Sequence, residues 1–264
     1  PKTPWVPGGP AADTGPPGTQ GVFGLHAVVA LLTFDADRVQ AIWVQDSRRE
    51  DQVAAVLERA ARLNIAVEVL PRRALDSRLP GLRHQGLVAW TLPAPRLGEA
   101  DLQAQLADWG ATPVLLVLDG VQDPHNLGAC LRTVWAAGAQ AVIVPQDRAA
   151  GLTPTVRKVA VGAAEQVPLF QVTNLARTLK MLADQGFRIL GAEAQATESL
   201  YTADLSGPLV WVLGGEGSGL RRLTQECCDV RVSIPLQGGA ESLNVSVAAG
   251  VVLFETRRRR LMGM

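Results

Sequence analysis

Two uninterrupted apolar runs constrain the fold of this chain more than any other feature. Val114-Leu115-Leu116-Val117-Leu118 stops at Asp119-Gly120, and Leu209-Val210-Trp211-Val212-Leu213 stops at Gly214-Gly215. A strand with one wet face alternates apolar and polar residues, whereas a strand covered on both faces is apolar throughout. Runs this short, bounded by turn formers, read as central parallel strands rather than helices. Around them the chain alternates. Helical patterns near 127–137, 154–163, 174–185 and 219–227 separate strand patterns at 141–144, 167–170, 187–191 and 230–234. The alternation predicts an α/β domain over 113–264, an open parallel sheet with helices on both faces. In such sheets ligands bind beyond the carboxyl ends of the strands. The loops at 119–128, 214–219 and 235–243 fall there.

The third of these loops opens the last helix. Pro235, Gly238 and Gly239 interrupt regular structure, and Ser242 is of the type that caps a helix by accepting a first-turn N–H. From Val245 to Phe254 only Ser246 is polar, so the helix is expected to be buried nearly all round, in a core or a subunit interface. Arg257 to Arg260 follow, where the helix dipole favours cations.

Upstream, helical patterns at 25–32 and 51–63 and strand patterns at 41–44, 65–69 and 86–90 predict a smaller α/β domain over 21–93. Trp43 and Trp90 sit in its strand patterns and read as core. Half of residues 1–20 are Pro or Gly, the composition of a disordered leader. Pro93, Pro95 and Gly98 mark 94–112 as a linker carrying a short helix near 99–109.

At 264 residues there is room for two domains, and 47% apolar with 19% charged residues suits a globular protein. Basic and acidic residues balance at 25 each, so net charge does not argue for nucleic acid, although local basic clusters at Arg72-Arg73 and Arg221-Arg222 leave it open. Cys130, Cys227 and Cys228 form no disulfide framework and have no zinc spacing with His26, His84 or His125; reduced thiols and no metal are expected. No apolar run has the length of a membrane span and no signal segment opens the sequence, so a soluble cytoplasmic protein with no membrane partner is expected.

The loops carry the chemistry. Asn126 and Arg132 lie six residues apart at the start of a helix and do not neatly share a face, so Arg132 could point towards a partner or a substrate phosphate; the local pattern alone favours a helix cap and a surface charge. Gly214, Gly215, Gly217 and Gly219 permit close backbone approach around Glu216, but the pattern matches neither a nucleotide P-loop nor a dinucleotide fingerprint.

Together, Asn126…Arg132-Thr133, Gly214-Gly215-Glu216-Gly217-Ser218-Gly219-Leu220 and Ser242-Leu243-Asn244-Val245-Ser246-Val247-Ala248 resemble the three motifs of the SpoU/TrmH (SPOUT) RNA ribose methyltransferases, over about 113–259. The front part, from Gly24-Leu25-His26-Ala27-Val28 to His84-Gln85-Gly86-Leu87-Val88-Ala89, resembles the amino domain of the large-subunit ribosomal RNA guanosine 2′-O-methyltransferases of the RlmB type. The resemblance implies a deep C-terminal trefoil knot, a small L30e-like RNA-binding front domain, a homodimer, and S-adenosylmethionine as cofactor. It further implies that backbone groups around Leu213, Gly214, Gly215, Ile234, Pro235, Leu236 and Leu243 hold the cofactor, bordered by Gly191 and Ala192. Arg132 would hold the target phosphate and stabilise the developing alkoxide, with Asn126, Glu216, Ser242 and Asn244 orienting it, the ribose or the cofactor. Arg72, Arg73, Arg83 and His84 would be candidates for ribosomal RNA contact. A transfer RNA ribose methyltransferase and a non-catalytic ribosome-assembly factor are the alternative readings.

Overall fold

The computed structural model describes residues 15–46, 50–82, 84–147, 149–215, 217 and 219–263. It divides after Ala94 into two units. The predicted leader lies outside the described residues up to position 14, and its last residues are structured. The Thr19 N–H donates to the Pro16 carbonyl, and the first strand begins at Gln20.

The first unit contains β1 (Gln20–Phe23), α1 (Leu25–Phe34), β2 (Val39–Gln45), α2 (Glu50–Arg62), β3 (Ala66–Leu70), α3 (Arg72–Arg78) and β4 (Leu87–Thr91). The sheet order is β1-β4-β2-β3, antiparallel except for the parallel β2–β3 pair. Every residue of β4 is buried because both faces are covered. Leu87 and Ala89 pack with Val28, Leu31 and Val56, whereas Val88 and Trp90 pack with Trp43, Leu75 and Leu79. Trp43 and Trp90 are core residues, edge to face at 4.9 Å, and the Arg78 guanidinium lies 4.9 Å from the Trp43 ring centroid.

The second unit starts at Pro95, within the segment expected as a linker. Its α4 (Glu99–Gln105) buries Leu102, and the Glu99 carboxylate accepts from both the N–H and the hydroxyl of Thr173 at 2.6 Å. The elements that follow are β5 (Val114–Asp119), α5 (Pro124–Ala137), β6 (Ala141–Pro145), α6 (Pro154–Ala160), β7 (Leu169–Val172), α7 (Leu175–Asp184) and β8 (Arg188–Ala192). After them come β9 (Glu198–Ser199), β10 (Leu209–Gly214), α8 (Arg222–Gln225), β11 (Val230–Ser233) and α9 (Val245–Leu261). Among the described residues the sheet runs β7-β6-β5-β10-β8-β11-β9, with every neighbouring pair parallel.

The apolar runs are used as two-sided burial requires. Leu116, Leu118, Trp211 and Leu213 face the side that holds α5 and α9, while Leu115, Val117, Val210 and Val212 face α4 and α7. On the first face the Trp211 indole N–H donates to Thr256 Oγ1 of α9 at 3.0 Å, satisfying a buried donor.

Two sequence expectations change here. Within the single chain helix α9 buries Val245, Ala249, Val252 and Leu253 and leaves Val247 and Phe254 about half exposed. Its cap is Asn244, not Ser242: Asn244 Oδ1 accepts the Ser246 N–H at 2.9 Å. The helix expected at 219–227 shrinks to α8, because Gly219 is left-handed (φ 62°) and the Arg221 N–H is drawn to Asp119 Oδ2 at 3.0 Å. The terminal arginines are structural more than solvated. Arg259 donates to the Leu200 and Ala203 carbonyls, and Arg260 to those of Thr112 and Gly207. No helix among the described residues is long and apolar enough to cross a membrane.

Candidate active site

The chain runs β5 to β6 to β7 in one direction, returns to β8, and later fills the gap beside β5 with β10. That reversal opens a crevice at the carboxyl ends of β8 and β10. A cavity of about 750 Å³ occupies it, within the range of small-molecule sites. Its walls come from the ends of β8 and β10, the glycine loop, and the segment from Ile234 into α9.

The glycines are there for space. A Cβ on Gly214 would lie 2.1 Å from the carbonyl carbon of Gly219, and one on Gly215 would lie 2.7 Å from the Gly120 carbonyl oxygen. Only hydrogen fits at either position, so backbone rather than side chain faces the cavity. The loop is anchored from below. The Gly215 N–H donates to the Asp119 carbonyl, and the buried Asp119 carboxylate receives the Arg221 N–H and lies 2.7 Å from Arg221 Nε. A carboxylate ending a buried strand requires such a partner. The abrupt end of the apolar run at Asp119 was visible in the sequence, but its partner, 102 residues on, was not.

Asn126 is buried in the first turn of α5, whose cap is Asp123, accepting the His125 N–H at 2.8 Å. The Asn244 amide donates to Asn126 Oδ1 at 3.1 Å, tying the start of α5 to the start of α9. Arg132 is exposed, does not line the cavity, and has no ion-pair partner among the described residues.

Of the residues singled out by sequence, Ala192, Leu213, Gly214, Gly215, Ile234, Leu236, Ser242, Leu243 and Asn244 all line this one cavity. Gly191 and Pro235 do not. Gly191 is a packing glycine, whose Cβ would come within 2.9 Å of Cys228 Sγ and Leu220 Cδ1. Glu216 and Arg83 lie outside the described residues. In the first unit Arg72 and Arg73 are exposed, Arg72 beside Asp76. His84 is buried instead, its Nδ1 accepting the Gly86 N–H and its Nε2 2.9 Å from Asp76 Oδ1. An accepting Nδ1 puts the proton of the neutral ring on Nε2, facing Asp76. Sequence reasoning passed over Glu193, Gln195 and Glu241, which also line the cavity.

Burial pushes the thiols of Cys130 and Cys228 up to about 12, which leaves no thiolate nucleophile there at neutral pH. No group of three or more His, Cys, Asp or Glu that could hold a metal occurs among the described residues. What remains is a backbone-lined, glycine-shaped slot with carboxylates at its edge. It can hold a small polar molecule and present it to a second substrate.

Residues 113–254 match the SpoU rRNA methylase family, and residues 22–95 match the RNA 2′-O ribose methyltransferase substrate-binding family. The 23S rRNA (guanosine-2′-O-)-methyltransferase RlmB of Shewanella oneidensis is 50% identical over 90% of this chain and 97% of its own. The protein of the same name in Pseudomonas putida is 51% identical over 90% and 96%. Among solved structures, the SpoU methyltransferase AviRb from Streptomyces viridochromogenes, in complex with AdoMet, superposes with a TM-score of 0.76 at 20% identity, covering 93% of this chain and 92% of that one. An RNA 2′-O ribose methyltransferase gives 0.72 at 25% identity, covering 92% and 90%.

Proposed function

The chain belongs to the SpoU rRNA methylase family, and from that premise we propose that it methylates a ribose 2′-hydroxyl, that of a guanosine, in large-subunit (23S-type) ribosomal RNA, with S-adenosylmethionine as donor. The observation that carries this is the convergence of the ends of β8 and β10, the glycine loop and the segment from Ile234 into α9 on one cavity inside the family-matched region. The fit of the donor is supported by Gly214 and Gly215, which line the cavity with backbone and whose close packing on Gly219 and Gly120 leaves no room for a side chain.

When bound, S-adenosylmethionine supplies an activated methyl group on a sulfonium. The chain's own work is orientation. Backbone groups of Leu213, Gly214, Gly215, Ile234, Leu236 and Leu243 hold the donor and Ala192 borders it, while Gly191 lets Leu220 and Cys228 pack closely behind the lining. Arg132 carries a planar guanidinium suited to phosphate, and its role is to hold the phosphate beside the target ribose and to stabilise negative charge growing on the 2′ oxygen. Its exposure and lack of an ion-pair partner among the described residues suit a group that meets RNA rather than donor. Asn126, Asn244, Ser242 and Glu216 orient these partners.

The finer architecture belongs to the same proposal. The segment 234–244 threads to form a trefoil knot, which accords with α9 returning to α5 after β11 has been laid down beyond β8. The first unit is an L30e-like RNA-binding domain, with Arg72, Arg73 and Arg83 as its candidates for RNA contact and the buried His84 bonded to Asp76, the ion-pair partner of Arg72. The protein works as a homodimer in the cytoplasm. Exposed Trp135, Val247 and Phe254, on two helices that pack together, are the apolar surface such a dimer would cover.

The test is transfer of labelled methyl to unmodified 23S ribosomal RNA, with transfer RNA alongside. Label in the ribosomal RNA alone supports the proposal. Label in transfer RNA alone overturns the substrate assignment, and label in neither RNA, with donor bound, overturns the assignment to free 23S RNA.

A further inference from the structure

Glu193 is the first residue past β8, at the carboxyl edge of the sheet, and it lines the cavity. Two independent contacts fix its side chain: Oε2 lies 3.1 Å from Arg231 Nη1, and Oε1 lies 3.4 Å from Gln225 Nε2. Its backbone is fixed as well, the Glu193 N–H donating to the Val232 carbonyl at 3.0 Å. The carboxylate is therefore held by β11 and α8 rather than free to swing into water. We propose that Glu193 recognises the ribose of the methyl donor, accepting hydrogen bonds from its vicinal hydroxyls. This rests on the donor assignment made above.

The charge distribution selects the hydroxyls over the donor's two cationic centres. Arg231 already balances the charge of Glu193, which weakens it as a counter-ion but leaves it a strong hydrogen-bond acceptor. A carboxylate offers about four lone-pair sites, of which two are engaged here, so two remain for a vicinal pair of O–H donors. Glu241, across the cavity, is exposed and has no ion-pair partner among the described residues, and is the better placed of the two to answer a cation. Elsewhere the lining is mostly glycine, backbone and aliphatic side chains, so Glu193 adds selectivity where shape alone would not.

The test is calorimetric binding of S-adenosylhomocysteine, and of its analogues lacking the 2′- or the 3′-hydroxyl, to the full chain and to Glu193→Ala and Glu193→Gln, with melting curves to show that each variant is folded. The expected result is about 100-fold weaker binding by Glu193→Ala, which loses two hydrogen bonds to a charged group, each contributing about tenfold. Glu193→Gln, whose amide oxygen still accepts, should fall between. Removing a hydroxyl should weaken the unaltered protein about tenfold and Glu193→Ala hardly at all. Equal losses in both proteins, or a folded Glu193→Ala that binds within twofold of the unaltered chain, would overturn the inference while leaving the donor assignment intact. Failure of the unaltered chain to bind S-adenosylhomocysteine would overturn the donor assignment itself, and the inference with it.

Discussion

Asn244 holds two helices and one cavity wall at once, so its removal has separable consequences. Its Oδ1 accepts the Ser246 N–H at 2.9 Å and the Ser246 hydroxyl at 2.6 Å, which fixes the orientation of the amide and turns Nδ2 towards Asn126 Oδ1. Asn244→Ala deletes the cap of α9, at a cost of about 1 kcal/mol, and the bond to Asn126, at about 1 kcal/mol more. In a unit of this size about 2 kcal/mol lowers the melting temperature by roughly 4–8 °C. Asn244→Ser keeps a good capping oxygen but is too short to reach Asn126, so it should lose about half as much. Both variants release the wall at 241–244 from α5 and should weaken binding of S-adenosylmethionine by roughly five- to tenfold, about 1–1.4 kcal/mol. Thermal melts and titration calorimetry on both variants measure the two effects. A serine variant as unstable as the alanine variant refutes the capping term. A serine variant as stable as the original refutes the bridge, and unchanged donor affinity in both refutes the link between bridge and site.

Arg132→Ala should leave donor affinity unchanged by calorimetry and lower the transfer rate about 100- to 1,000-fold, the usual effect of removing one group that stabilises developing charge. Gly214→Ala places a methyl 2.1 Å from the Gly219 backbone; displacing that loop should cost about 1–3 kcal/mol in urea unfolding and weaken donor binding more than tenfold. Glu255 is held down to about 2 by hydrogen bonds from Arg258 and then Arg259. A depressed carboxylate stabilises the fold fully above its ordinary value of 4.5 and loses that contribution as pH falls from there through about 2. The stability gap between the unaltered chain and Glu255→Gln, measured by urea unfolding, should therefore be constant from pH 7 to about 5 and close below it.

The parts of this architecture that could be read in advance are those where one residue's chemistry decides its surroundings. A five-residue run with no polar member has to be covered on both faces, and β5 and β10 are. The glycine loop was legible as close backbone approach for the same reason. Pairings across long chain distances were not. Ser242 and Asn244 are both good capping residues, and what favours Asn244 is a partner 118 residues away at Asn126. Glu193 gave no local signal, because Gln225 and Arg231 come from later elements. His84 beside Arg83 resembled a basic surface pair, yet its ring is buried and bonded at both nitrogens. An all-apolar helix face reads identically whether a core or another subunit covers it, so the exposure of Val247 and Phe254 on α9 emerged only from the fold.

Nucleoside analysis of 23S ribosomal RNA treated with the purified protein and S-adenosylmethionine, using RNA that carries no prior modification, reads out both the product and the role of Arg132. One new 2′-O-methylguanosine is expected, formed about 100- to 1,000-fold more slowly when Arg132→Ala is used. Methylation on a base rather than on a ribose, or ribose methylation that persists undiminished in Arg132→Ala, would contradict the proposed function.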